Sequence, residues 1–341
     1  MRLSRKGSAA VWLRCSENII RKGKLMKKKD DKDKAFRTSI GGQALIEGIL
    51  MRGPTKQATV VRTGDGLVTK LEEPTFLRQR YKFCDLPIIR GGITFVESMV
   101  YGVKALTYSA ELMPEEEQEE PSKLDKWIEK KFGMEKAQKF IIAIAVLLGI
   151  CLSVGLFILL PTFLAGFVRH FTESTLLYNI TEGVLRIAVF LLYMVFCTHM
   201  KELKRVFRYH GAEHKAIYCY EKRLPLTVEN VRIQSRFHPR CGTSFLFVVM
   251  IISILVFSFA RWHNVWIRMG LRILLLPLVV GISYEIQRWA GAHDNWLSNV
   301  LSAPGKALQK LTTAEPDDEM IECAIEALKL VIPEEEGADA W

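Results

Sequence analysis

The run IIAIAVLLGICLSVGLFILLPTFLAGFV, residues 141–168, decides the fold class, because 28 consecutive positions carry no charged side chain. A helix of about 20 apolar residues crosses the ~30 Å hydrocarbon core of a bilayer. The run is therefore read as a membrane span, with Pro161 as its expected kink. Further apolar runs at Thr175–Met200, Thr243–Ala260 and about Leu271–Ile286 bring the expected total to four spans within residues 140–290. The fourth is bracketed closely by Arg272 and Glu285. A re-entrant hairpin of the third and fourth runs is the alternative, since Arg261, Arg268 and Arg272 make their connection more basic than an outer loop prefers.

The whole chain agrees with that class. Its 341 residues are 49% hydrophobic, and a positive mean hydropathy is too apolar for an ordinary soluble protein. The formal charge is +10, but the excess sits at the N-terminus and in the loop 201–242. Residues 201–240 alone carry ten Lys or Arg. That distribution follows the positive-inside rule, places the loop and both termini in the cytoplasm, and argues against nucleic acid as a partner. Seven scattered cysteines without a C-x-x-C pair suggest a reducing compartment, not a disulfide framework.

Residues 1–37, with 13 basic and four acidic side chains, lack the apolar core of a signal peptide and read as a disordered basic extension. Residues 38–114 read as a cytoplasmic β-rich module. Ala58–Arg62 and Leu67–Leu71 flank Gly64-Asp-Gly66 as a β-hairpin, and apolar positions from Val96 to Met113 recur at helical spacing. That helix either packs on the module or lies on the membrane surface. Residues 115–139 form an acidic linker and a second amphipathic helix with Ser122 as N-cap and Trp127 at its centre. Residues 291–341 end in a helix whose stripe Ile321, Ala324, Ile325 and Leu328 should dock on the β module. The segments beginning Gly41-Gly42 and Gly91-Gly92 share a ten-residue pattern, which either records an internal duplication or is coincidence. The expected fold class is thus an α+β membrane protein, a small cytoplasmic β-rich module with amphipathic helices beside about four transmembrane helices.

The chemistry concentrates in Phe207-Arg-Tyr-His210-Gly-Ala-Glu213-His214-Lys215. On a helix, His210, Glu213 and His214 fall within a sector of about 100°. His-x-x-Glu-His is the inverzincin order, in which two histidines hold a zinc ion and the glutamate acts as general base towards water. His238 and Cys241, spaced i, i+3 before the third apolar run, are the candidates for completing such a site, imidazole and thiolate both being good zinc ligands. Glu47, Glu285, His293 and Asp294 are reserve ligands, whereas His199 is eleven residues, or about 16 Å, from His210 and cannot share its ion. Against a metal stand Gly211, which weakens the helix by about 1 kcal/mol, and the cations Lys204, Arg205, Arg208 and Lys215. The competing reading is an interfacial histidine cluster with a structural or phosphate-binding role. Glu182 and Arg186, four residues apart in the second apolar run, either mark a functional site or pair near the outer interface.

The segments Gly41-Gly-Gln-Ala-x-x-Glu47-Gly, Met51-Arg-Gly-Pro54, His210-Gly-Ala-Glu-His-Lys215, His238-Pro-Arg-Cys-Gly242 and Leu311-Thr-Thr-x-Glu-Pro316 resemble the YqhQ-like family over about residues 38–335. That resemblance implies a multi-pass protein of the bacterial inner membrane. The family is of uncharacterised function and is sometimes labelled as predicted metal-dependent enzymes, so it supplies no substrate. Neither Gly-Gly segment has the spacing that cradles a nucleotide phosphate, and transport by four spans would need a homo-oligomer. Two function classes stand: a divalent-metal-dependent, zinc-type hydrolase at the cytoplasmic membrane face, and a non-enzymatic scaffold or assembly factor whose cytoplasmic module holds a protein partner or anionic membrane lipid.

Overall fold

The computed structural model describes residues 36–113, 134–170, 174–259, 265–293 and 295–341. Most of the basic extension, the linker with Ser122 and Trp127, Arg261 and Asp294 lie outside these residues. The fold is a mixed one, mainly helical, with one small antiparallel sheet.

The sheet is a meander of β1 (Gly41–Leu45), β2 (Gly48–Arg52), β3 (Gln57–Thr63) and β4 (Gly66–Glu72), in that spatial order. The expected hairpin is β3–β4, closed where Thr63 faces Gly66. β2 reads as an unbroken apolar run because both faces of the sheet are covered. Ile49 and Met51 join Ala58 and Val60 of β3 in the main core, while Leu50 between them points to the other side with Leu45 and Ala105. This is the period of two that a strand imposes.

Two helices cover the main-core face. They are α5 (Lys201–Glu221), through Tyr209, Ala212 and Ala216, and α9 (Asp318–Val331), through Met320, Ile321, Ala324 and Leu328. Asp317 caps α9 by accepting a hydrogen bond from the Met320 N–H at 3.0 Å. The stripe of the final helix thus lies on the sheet. The opposite face receives α1 (Ile89–Glu111), which also packs along α7 (Val265–Ala292) and leaves Val96, Met99 and Val100 exposed. α1 therefore packs on the sheet, the first of the two placements expected for it. Gly41 opens a strand whereas Gly91 lies inside α1, so the two Gly-Gly segments are not copies of one structural unit.

The apolar helices are α2 (Met134–Val154), α3 (Leu160–Gly166), α4 (Thr175–Cys197), α6 (Gly242–Phe259) and α7. A π-helical turn, Gly155–Leu159, joins α2 to α3 just before Pro161, which has no N–H to donate to the carbonyl four residues back and whose ring crowds that carbonyl. Among the described residues three helical stretches are long and apolar enough to cross a membrane: Phe140–Gly166, Leu177–Cys197 and Met269–Ala292. The stretch Gly242–Ser258 is apolar but shorter. The charges that appeared to truncate the last stretch are both matched: Arg272 is buried against Glu182, and Glu285 accepts a fork from Arg90. Across the lower end of this bundle runs α8 (Trp296–Thr312), started by a capping box between Asn295 and Ser298.

Candidate metal centre

Three segments meet at the His-x-x-Glu-His face of α5. The first is β1, whose Gly42 N–H donates to Glu213 Oε1 at 2.9 Å. The second is Leu311–Pro316, the last residues of α8 and the segment that follows, which lies so close over Gly211 that a Cβ there would stand 2.1 Å from the Ala314 carbonyl oxygen. The glycine that weakens the helix is thus what admits this strand, held by the Ala314 N–H donating to the Phe207 carbonyl at 2.8 Å. The third is residues 236–241, ending at the N-terminus of α6.

His210, His214 and Cys241 come together there, with one ligand atom from each lying within 4.8 Å of the others. His210 Nε2 is 3.2 Å from Cys241 Sγ. Each histidine has its other nitrogen committed: His210 Nδ1 bonds the Thr312 carbonyl at 2.8 Å, and His214 Nδ1 bonds the Arg236 carbonyl. Since a carbonyl only accepts, both Nδ1 atoms carry a proton; His210 Nε2, 3.2 Å from the sulfur, is protonated as well while it pairs with a Cys241 thiolate, and gives up that proton when it offers a lone pair to an ion. Backbone or carboxylate partners fix metal-ligating histidines in this way.

Cys241 is prepared as a thiolate. Burial raises its thiol, but the imidazoles of His210 and His214 outweigh it and hold the thiol well below its ordinary value. The Thr243 N–H at 3.4 Å and the Thr243 hydroxyl at 3.1 Å also face the sulfur, at the positive end of α6. For His210, burial opposes the charged form, yet Cys241, Glu213 and the Thr312 carbonyl together raise it to about 9. Glu213, 5% exposed, is pushed up by burial while His210 and His214 pull it down. Its Oε2 is buried without a hydrogen-bond partner in the structure. An orphaned carboxylate oxygen beside two imidazoles and a thiolate fits a site built for a cation and a polar molecule.

A tetrahedral ion with ligands at about 2.0–2.3 Å sets them about 3.3–3.6 Å apart. The cluster therefore needs side-chain adjustment of only about 1 Å to close on zinc. Three protein ligands leave one position open, the mark of catalytic rather than structural sites. His214 and Cys241 are buried and His210 is partly exposed, so the cluster reaches solvent on the His210 side. The surrounding cations are drawn away from it: Arg205 to Glu47, Arg208 to Asp317 at 3.0 Å, and Lys215 to Glu315 at 2.7 Å.

His238, expected to ligate beside Cys241, stands apart from the cluster. Its ring lies 5.7 Å from that of His214, and its Nε2 faces Glu221 Oε2 at 3.4 Å. Gln309 holds the backbone on both sides, accepting from the His238 N–H and donating to the His238 carbonyl, each at 2.7 Å. Of the reserve ligands, Glu47 bonds Arg205 and Tyr209, Glu285 pairs with Arg90, and His293 Nδ1 bonds the Trp289 carbonyl. His199 bonds the Val195 carbonyl. The orienting carbonyls of Thr312 and Arg236 carry no residue-type signature; the one signal for them was the glycine in the motif.

Burial pushes the His238 imidazole down to about 4, although Glu221 acts the other way. The unfolded chain binds this proton at about 6.5. The histidine's contribution to stability is therefore complete above about pH 6.5 and is lost as pH falls from there to about 4, by up to about 3 kcal/mol. His238→Gln should flatten the fall in melting temperature across that window. An unchanged pH profile would contradict the buried neutral imidazole.

A family model described as "Protein of unknown function (DUF1385)" matches residues 86–334. The chain belongs to this family. It is also 34% identical over 294 residues to the "Uncharacterized protein YqhQ" of Bacillus subtilis (strain 168), covering 84% of this chain and 90% of that protein. The DUF1385 match spans His210, Glu213, His214 and Cys241 but starts after the sheet that supplies Gly42. No solved structure matches the chain.

Proposed function

We propose that this protein is a bacterial inner-membrane, metal-dependent hydrolase working at the cytoplasmic face, with His210, His214 and Cys241 as ligands of a zinc-like ion and Glu213 as general base. The observation that carries this reading is the pair of Nδ1–H bonds to backbone carbonyls, which turn the Nε2 edges of both histidines towards the Cys241 sulfur. The basic loop 201–242 and the apolar helices support four spans, with α6 as the short third one, and cytoplasmic termini.

A divalent ion held there supplies Lewis acidity and lowers the pKa of water towards neutrality. The chain's own residues do the rest. The Gly42 N–H holds Glu213 Oε1 and leaves Oε2 to take a proton from water, a role suited to a carboxylate whose affinity for protons burial has raised. His210 and His214 keep their tautomers through the Thr312 and Arg236 carbonyls. The His210 and His214 imidazoles favour the ionised Cys241, with the positive end of α6 adding to them.

The scaffold reading has its own support in the direct His210–Cys241 contact, which can tie α5 to α6 with no ion at all. Metal analysis separates the two. Protein purified without a histidine tag, with zinc or manganese supplied, should carry about one ion per chain. Well under one ion per chain removes the enzyme reading and leaves the scaffold.

A further inference from the structure

Beside the metal cluster, and separated from it by the His238 ring, lies a cavity of about 300 Å³. Tyr218 and Glu221 line it from α5, and both also touch His238. Its opposite wall is the end of α7 at Ala290–Gly291 and the first turns of α8. Arg37, Lys222, Arg240 and Lys306 line it against the single carboxylate of Glu221, a formal charge of +3, with Arg240 paired to Glu221, Lys222 Nζ on Gln234 Oε1 at 2.8 Å and Arg37 Nη1 on the Gly291 carbonyl at 2.8 Å. Ser298 and Asn299 bring the N-terminal turn of a 17-residue helix to the same space.

We propose that this cavity binds the phosphate group of an anionic lipid head. Several cations converging from different elements suit a phosphate, which presents acceptor oxygens in several directions. The start of α8 adds its dipole, while its Ser298 and Asn299 N–H groups are held by Asn295. The volume is at the lower end for a small-molecule site, enough for a phosphate with a short substituent. The lipid source follows from the rim. Trp296, Leu297 and Val300 at the start of α8 are exposed, Trp296 at 77%, and Trp289 at the end of α7 is exposed at 38%. Trp289 stacks on His293 of the lining, and Trp296, Leu297 and Val300 form an exposed apolar face on the outer side of α8, so the basic cavity lies beside an apolar surface that suits acyl chains while the head group enters the cavity.

The site goes beyond the metal reading and does not require it, so the two can fail separately. Full-length protein in non-ionic detergent, as purified and after treatment with a chelator, is titrated calorimetrically with dioctanoyl phosphatidic acid, dioctanoyl phosphatidylcholine and inorganic phosphate. One phosphatidic acid should bind per chain, at least about tenfold tighter than either of the others, and equally well without metal. Lys306→Gln, on the α8 wall of the cavity, should weaken it by about fivefold, the usual effect of one interfacial cation. Lys222→Gln should do the same from the α5 side, and neither variant should change metal content. Equal binding of phosphatidic acid and phosphatidylcholine, or wild-type binding by both variants, overturns the site. Inorganic phosphate binding as tightly as the lipid overturns the lipid source.

Discussion

Glu182→Ala should cost about 3–5 kcal/mol of stability, the toll of leaving buried charge uncompensated. Glu182 is 3% exposed and is the carboxylate for two buried guanidiniums. Arg272 grips it with both Nη atoms, Nη2 at 2.7 Å, and Arg186 Nη2 reaches it at 3.0 Å. Thr162 adds a hydroxyl at 2.9 Å, and the Phe257 ring lies 5.4 Å and 5.5 Å from the two guanidinium carbons. Removing the carboxylate strands two positive charges in an apolar bundle. Adding Arg186→Met and Arg272→Met to Glu182→Ala should recover much of the loss, because well-packed apolar side chains replace a buried ion network at little or no cost. Thermal unfolding in detergent measures both. A single variant that melts with the wild type removes the network from the account of stability.

The second large effect is on metal affinity. His210→Ala, His214→Ala and Cys241→Ser should each lower it by more than about a hundredfold, since loss of a partner that merely orients a ligand already costs about 10–100-fold. A serine hydroxyl is a far poorer zinc ligand than a thiolate. Glu213→Gln should hold the ion almost as well, because the amide oxygen can still accept from the Gly42 N–H, yet should lower turnover of a hydrolysed substrate by about a hundredfold or more. His238→Gln should leave affinity within about tenfold of wild type, because its ring faces Glu221. Competition with a chromogenic chelator reads all five. Loss of metal in Glu213→Gln, or its retention in His214→Ala, would reassign the ligands.

What was legible in the sequence had a local period or a local motif. The uncharged run 141–168, the stripe at Ile321, Ala324, Ile325 and Leu328, and the hairpin around Gly64–Gly66 each state their conformation within one element. His210, Glu213 and His214 were legible because helical spacing alone puts them on one face, and Cys241 because its chemistry suits the same ion. The pairing of Arg272 with Glu182 was not, being 90 residues apart in sequence. Two opposite charges in separate apolar runs were nonetheless a signal that each needed the other. His238 misled for the converse reason. Its spacing from Cys241 suggested a shared ion, but the turn Pro239–Arg240 and the Gln309 clamp aim the ring the other way. The Thr312 and Arg236 carbonyls belong to the backbone, which no residue type announces.

The closure of the sheet by the last helix also sets an order of events during synthesis. Cys323 of α9 lies against the Val60 carbonyl across a separation of 263 residues, and Ala340 bridges to Thr38. While a ribosome is still making the chain, β2 and β3 can therefore gain the α5 side of their apolar face before α6 and α7 emerge, and the α9 side only after them. The α9 side of the sheet's core is thus set after every bundle helix has been made, although the strands it covers are among the first elements of the fold.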